Sequence, residues 1–358
     1  MRNSMLGSAH LQPLVDTADV PALLRAVDGC CATRAWDALV DLARRCRDAI
    51  ELGRQLWPVA MHIEYRLAYE APGPYAAGVL RPGAARFALG PLTEVAASTH
   101  TWDDLAPGIG DLASAAMVAQ ERVIRGEDLR GELPPQVTEL PLRLQPWEPP
   151  YALPAYRDRE ALFPAPDVVG APAGAAVRGR PARRLPDDPA IEALRAAVET
   201  WTTQSEGRVA AVAVEGDAAG AVAHLSPVAA ITPITAAQAL AWLQWAGASG
   251  GAHGRRPGGA AGRFAAWWAL AALAGFTWPD HAGRDEDFAG GLGEVLDELR
   301  WYRWAPASDE LGAGHEGWHL HLAVHDPVDG LAWAVSGADH PEAAPAPATS
   351  VSRRPPSA

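Results

Sequence analysis

Lysine is absent from the 358 residues, so the 30 basic residues are all arginine. That absence excludes Schiff-base chemistry, pyridoxal phosphate included, and it excludes the Walker-type phosphate loop and the kinase lysine. Each of these needs an ammonium on a flexible stem. Arginine stays charged and cannot replace lysine as a base. Asparagine occurs only at Asn3, while alanine, glycine, proline and arginine are abundant, a bias expected of codon usage. The three cysteines, Cys30, Cys31 and Cys46, contain no C-x-x-C pair. Neither a disulfide framework nor a zinc knuckle is indicated, and buried free thiols in a reducing compartment are expected.

Long apolar runs are also missing. The longest, Phe264 to Phe276, falls short of the about 20 residues that span a bilayer, and the first residues lack the continuous apolar stretch of a signal peptide. A cytoplasmic protein with no membrane association is expected. The formal net charge of -13 and the pI near 5.3 oppose general binding to nucleic acid or to anionic lipid. With 49% hydrophobic and 20% charged residues, the chain has an ordinary globular composition and enough length for two cores.

What is present centres on Ala241 to Gly275. Thr235 and Gln238 have the spacing of a capping box, which starts a helix running to about Ala246. Glycines 247, 250, 251, 254, 258 and 259 then forbid regular structure through Pro257. A second helix restarts near Ala260. Arg263 is its only charge, so it is expected to be central and buried. Free N–H groups and the positive dipole end of such a helix suit an anion, and His253, Arg255, Arg256 and Arg263 add donors of the right sign. These four are the candidate anion-binding residues, against the alternative of a solvated basic loop joining two core helices. Gly247 to Gly251 also fits G-x-S-x-G, but a helix leads into it where a nucleophile elbow needs a strand.

Along the chain, apolar spacing of three and four from Asp19 to about Asp128 predicts helices: one through Trp36 to Cys46, one after Pro58, a capped start at Thr101, and a last one over Asp111 to Arg125. We read residues 1–130 as an irregular helical domain and 131–187 as a proline-rich, extended linker on which Tyr151, Tyr156 and Phe163 provide anchors. Residues 188–340 form an α+β domain, and 341–358 a disordered tail. The third segment opens with a helix at Asp188-Pro189. It continues with strands at 208–214 and 228–234, a short helix after Asp217, a helix at 292–299, and strands at 300–304, 317–325 and 330–336. The fold class expected is an all-α region followed by an α+β region whose mainly antiparallel sheet packs on the buried helix.

On the strand Gly317 to His325, Trp318, Leu320, Leu322 and Val324 alternate with His319, His321 and His325. Residues two apart share a face. His319 and His321, with His325 further along, are therefore candidate ligands for a divalent metal, to be completed by Asp339, His315 or His253 if the fold brings one in. The alternative is the wet outer face of an antiparallel sheet. If His325 pairs with Gly330, His321 faces Ala334 and His319 faces Ser336. The tryptophan pairs 242/245 and 301/304 are expected in the core rather than on a binding platform.

The run SGGAHGRRPGGAAGRFAAWWALAALAG, with LRWYRW and GWHLHLAVHDPVDGLAWAV, resembles uncharacterised proteins of high-GC bacteria. The resemblance implies a glycine loop, a tryptophan-bearing helix and closing strands, and no catalytic residue. Two functions follow as expectations. One is a non-enzymatic binding, scaffold or regulatory protein that contacts another protein through its helical domain. The other is a metal- or anion-dependent enzyme or small-ligand binder that uses the Gly/Arg loop and the histidine strand.

Overall fold

The computed structural model describes residues 8–84, 88–133, 140–166, 177–278, 286–306 and 317–341. The first region is helical: α1 (Ser8–Thr17), α2 (Val20–Ala32), α3 (Trp36–Glu51), α4 (Trp57–Glu70), α5 (Gly73–Gly78), α6 (Leu92–Thr99), α7 (Trp102–Leu105) and α8 (Leu112–Val123). The predicted starts are found. Thr101 and Asp104 form a reciprocal capping box, and Asp111 accepts from the Ser114 N–H, so side-chain oxygens satisfy the orphan donors of α7 and α8. Leu39, Leu42, Ile63, Leu67, Val95 and Val118 meet in one core.

The segment 140–166 contains turns, bends and a two-stranded pair, β1 (Ala155–Tyr156) with β2 (Ala161–Leu162), and no helix. Leu140, Leu142, Tyr151 and Tyr156 are buried.

The second region is a seven-stranded antiparallel sheet in the order β3-β6-β7-β8-β9-β5-β4. Its strands are β3 (Val177–Arg178), β4 (Arg183–Arg184), β5 (Arg208–Glu215), β6 (Val228–Ile234), β7 (Arg300–Pro306), β8 (Trp318–Asp326) and β9 (Leu331–Asp339). The two-residue strands β3 and β4 come from the stretch read as linker and lie at the sheet edges, where a proline-rich segment does not break a central ladder. One face carries α9 (Ala190–Ala196), α10 (Glu199–Thr203), α12 (Ala236–Ala248), α13 (Gly259–Leu273) and α14 (Glu286–Glu298) around a tryptophan-rich core. The other carries α11 (Ala218–Val222) over a smaller core of Val212, Val214, Trp304 and Ala334. The expected fold class is thus observed: an all-α region, then an α+β region with an antiparallel sheet packed on a buried helix.

Helix α12 starts at the Thr235–Gln238 capping box. It lies so close to α13 that a Cβ on Gly262 would stand 2.2 Å from the Gln244 carbonyl oxygen. Only glycine permits that crossing. Two local expectations are corrected. The helix after Asp188 breaks at Ala197-Val198, leaving α9 and α10 as separate pieces. The β8–β9 register is shifted by two: His325 faces Ala332, His321 faces Ser336 and His319 faces Ala338. Asp326 accepts from the Val328 and Asp329 N–H groups and Gly330 takes φ 66°, so the turn holds four residues. A shift of two leaves each side chain on its expected face.

Candidate functional site

The N-terminus of α13 does hold anions, and they are the protein's own carboxylates. Gly258, at φ 106°, turns the loop into the helix. The Gly259 N–H then donates to Glu94 Oε1 at 3.0 Å and the Ala260 N–H to Glu121 Oε1 at 2.7 Å. Glu94 comes from α6 and Glu121 from α8, and both are fully buried. Two first-turn donors of a C-terminal helix are therefore satisfied from the N-terminal region, with the helix dipole favouring the negative charge.

Arg256 completes this latch. Its Nε and Nη2 donate to Glu94 at 2.7 and 2.8 Å, and its guanidinium lies 4.6 Å from the centre of the Phe163 ring. The Tyr156 hydroxyl donates to Glu94 Oε2 at 2.6 Å. Burial opposes ionisation of Glu94, but Arg256 and Tyr156 outweigh it and hold the carboxyl below its ordinary value. Glu121 shares the pocket with fewer compensating donors, chiefly Arg125 Nη1 at 2.8 Å and the Ala260 N–H. Burial, then the Glu94 charge, push it up to about 7.

Arg263, one turn along α13, is fully buried. Nε and Nη2 grip Glu148 at 2.8 and 2.6 Å, Nη1 donates to Gln120 Oε1 at 2.5 Å and to the Pro141 carbonyl at 2.8 Å, and Nη2 reaches the Arg143 carbonyl at 2.9 Å. A guanidinium has five N–H donors, and this geometry uses all of them. Glu148 also accepts from Tyr151, Trp267 and the Gln145 N–H. Arg263 thus joins α8, the proline-rich segment and α13.

The four anion candidates separate accordingly. Arg256 and Arg263 are committed to Glu94 and Glu148. His253 and Arg255 are exposed on the loop, whose backbone is tied down by Ser205 and Gln204. Asp339 lies on the helix-covered face of the sheet and accepts from the Ala252 N–H at 2.6 Å, which anchors the same loop.

The histidines lie on the opposite face. His319 stands 4.8 Å from His340 and 5.9 Å from His321, ring centre to ring centre, and His321 stacks on Trp304 at 4.5 Å. This part of the face is not wet. Burial first, then His319 and Arg303, lower the His321 pKa to about 4, and among the described residues His321 Nε2 has no hydrogen-bond partner. His325 is set apart: four residues along a strand is about 13 Å. Asp339 and His253 cannot join His319 and His321 across the sheet, and His315 lies outside the described residues. Among the described residues no group of three or more His, Cys, Asp and Glu is arranged to hold a metal ion.

Beside the latch, where α8, α9, α10, α12 and α13 approach one another, opens a cavity of about 560 Å³. Met117, Leu140, Pro257, Phe264, Trp268 and Trp278 supply its apolar wall, with Gln120, Thr200 and Glu199 as its polar members. Ala260, whose N–H holds Glu121, lines it too.

The glutamates were not singled out in the sequence, though one signal was there. Glu121 falls three residues after Val118 and three before Ile124, on the buried stripe of α8, and a charge on such a stripe needs a partner.

A pH dependence follows. The unfolded Glu121 carboxyl titrates near 4.5 and the folded one near 7. Between these values the native state holds a proton that the unfolded state has lost, so stability falls as pH rises through the window. His321, depressed from 6.5 to about 4, acts in the opposite sense below 6.5. Glu94, held low, loses its contribution only on acidification. The Glu121 effect is therefore cleanest from about pH 6.5 to 8. There the melting temperature of the wild type is expected to fall and that of Glu121→Gln to stay flat. Equal slopes would refute the assignment.

Fold and site define a two-region protein in which a helical array is locked by internal ion pairs onto the buried helix of an antiparallel α+β region. The chain belongs to a family of unknown function, DUF6183, whose profile matches residues 21–327. No curated protein and no solved structure matches it. Among the described residues no helix is long and apolar enough to cross a membrane.

Proposed function

We propose that this is a non-enzymatic binding protein of regulatory type, cytoplasmic and without general affinity for nucleic acid, whose ligand enters the cavity between the two regions. One observation carries the reading. The buried charged groups beside the cavity already have partners within the protein, Glu94 in Arg256, Glu148 in Arg263, and Glu121 in Arg125 and the Ala260 N–H, while the space itself is lined mainly by apolar side chains. Large pockets at such junctions are the usual place for small ligands. The alternative, an enzyme using the Gly/Arg loop and the histidine strand, has less support, because those groups sit on opposite faces of the sheet.

A protein partner on the helical region is part of the proposal. Leu52, Trp57 and Leu112 are exposed apolar side chains of that region. We place the chain in a high-GC bacterium on its lysine-free, alanine- and arginine-rich composition.

The test is titration with Nile red, an uncharged dye that fluoresces in apolar surroundings. The wild type is expected to bind one equivalent. Ala261→Phe, which fills the cavity from α13, is expected to weaken binding at least about tenfold, the loss of a contact of about 1.4 kcal/mol, with the folded state checked by circular dichroism. Undiminished binding in a folded Ala261→Phe protein would overturn the reading.

A further inference from the structure

The cavity between the regions has a chemical bias that its apolar lining alone does not express. Phe264, Trp268 and Trp278 form a continuous aromatic wall: Phe264 lies 5.3 Å from Trp278 in an edge-on arrangement and 6.4 Å from Trp268. Aromatic faces carry negative partial charge and attract cations. Glu199, at the start of α10, is the one charged residue lining the cavity among those described. It is exposed, and its carboxylate has no hydrogen bond or ion pair among the described residues. Among the described residues no arginine or histidine lines the space. The arginine closest in sequence to the lining helix positions, Arg263, is not itself in the lining and is paired with Glu148.

An aromatic wall, a free carboxylate at the opening and no cation among the described lining residues form an arrangement complementary to positive charge on an apolar body. A carboxylate or phosphate ligand would meet Glu199 at the opening and find no group of opposite charge among the described lining residues. A neutral hydrocarbon would fill the space but leave Glu199 unanswered. The net charge of -13 adds a long-range attraction of the same sign.

We infer that the ligand class of this cavity is an organic cation, an alkyl- or arylammonium whose apolar part packs on Phe264, Trp268 and Trp278 and whose charged head faces Glu199. The inference rests on the cavity reading above and extends it from apolar ligand to apolar cation. Recognition is non-covalent, and the aromatic faces and the carboxylate act together on one charge.

The experiment is displacement of Nile red from the full chain by benzyltrimethylammonium, with benzyl alcohol as the uncharged counterpart. In the wild type the cation is expected to displace the dye at about one-tenth the concentration the alcohol needs. In Glu199→Gln that preference is expected to shrink to about twofold. Glu199 is exposed, so its replacement does not threaten folding. Dye binding without preference for the cation, or a preference that survives Glu199→Gln, overturns the inference and leaves the cavity reading standing. Failure of the wild type to bind the dye at all overturns both.

Discussion

Replacing Arg263 by methionine is expected to lower the unfolding free energy by about 3 to 5 kcal/mol, the cost of removing one partner from a buried ion pair. Methionine preserves the stem volume, so the loss reports on the guanidinium. Without it Glu148 keeps a negative charge inside the protein, answered only by Tyr151, Trp267 and the Gln145 N–H. Gln120 Oε1 and the Pro141 and Arg143 carbonyls lose their donor as well. At about 2 to 4 °C per kcal/mol for a domain of this size, the melting temperature should drop by about 10 °C. Adding Glu148→Leu removes the stranded charge, and we expect it to recover part of the loss, since hydrophobic replacement of a whole buried pair is often close to neutral. Recovery remains incomplete because Tyr151 and Trp267 then lack an acceptor. Urea unfolding of the two singles and the double measures this directly. A loss under about 1 kcal/mol for Arg263→Met would mean the pair is solvated and its network is not structural.

Glu94→Ala is the second large effect. Glu94 accepts from Arg256 twice, from the Gly259 N–H and from the Tyr156 hydroxyl. Its removal strands a largely buried guanidinium and unties the first turn of α13 from α6, again costing about 3 to 5 kcal/mol. A diagnostic accompanies the loss. The Glu94 charge is one cause of the raised Glu121 carboxyl, so Glu94→Ala should bring that group back toward the ordinary range and flatten the fall of stability between about pH 6.5 and 8. Loss of stability with an unchanged pH slope would mean that burial alone sets the Glu121 proton. Urea unfolding at both pH values separates the two.

Much of this architecture was legible in the sequence because its signals are local. The capping box at Thr235 and Gln238, the glycine run that ends α12, and the alternation of Trp318, Leu320, Leu322 and Val324 each lie within a few residues of what they specify. The buried character of α13 was equally plain from its composition. The position of the turn after β8 was less so. Asp326, Pro327, Asp329 and Gly330 all favour turns, and only the Asp326 side-chain bonds choose the four-residue form. The partners of the loop were not legible. Dipole and donors at an arginine-rich helix start suggest a ligand anion, whereas the first-turn N–H groups meet the protein's own carboxylates. That these would be Glu94 and Glu121 did not follow, because they lie 165 and 139 positions away from the amides they accept from. Nothing in the spacing of either segment encodes that pairing. The histidines illustrate the converse. Their shared face was correct, but a period of two says nothing of what lies above it, and Trp304 comes from a neighbouring strand.

The claim that the glycine–arginine loop serves as an internal latch is tested most directly by amide hydrogen exchange at Gly259 and Ala260. First-turn amides of a helix have no intrahelical acceptor and ordinarily exchange with the loops around them. Here both donate to buried carboxylates, so they should be protected as strongly as the centre of α13, and Glu94→Ala should selectively release Gly259. Rapid exchange of both amides in the wild-type protein would contradict the latch and return the loop to solvent.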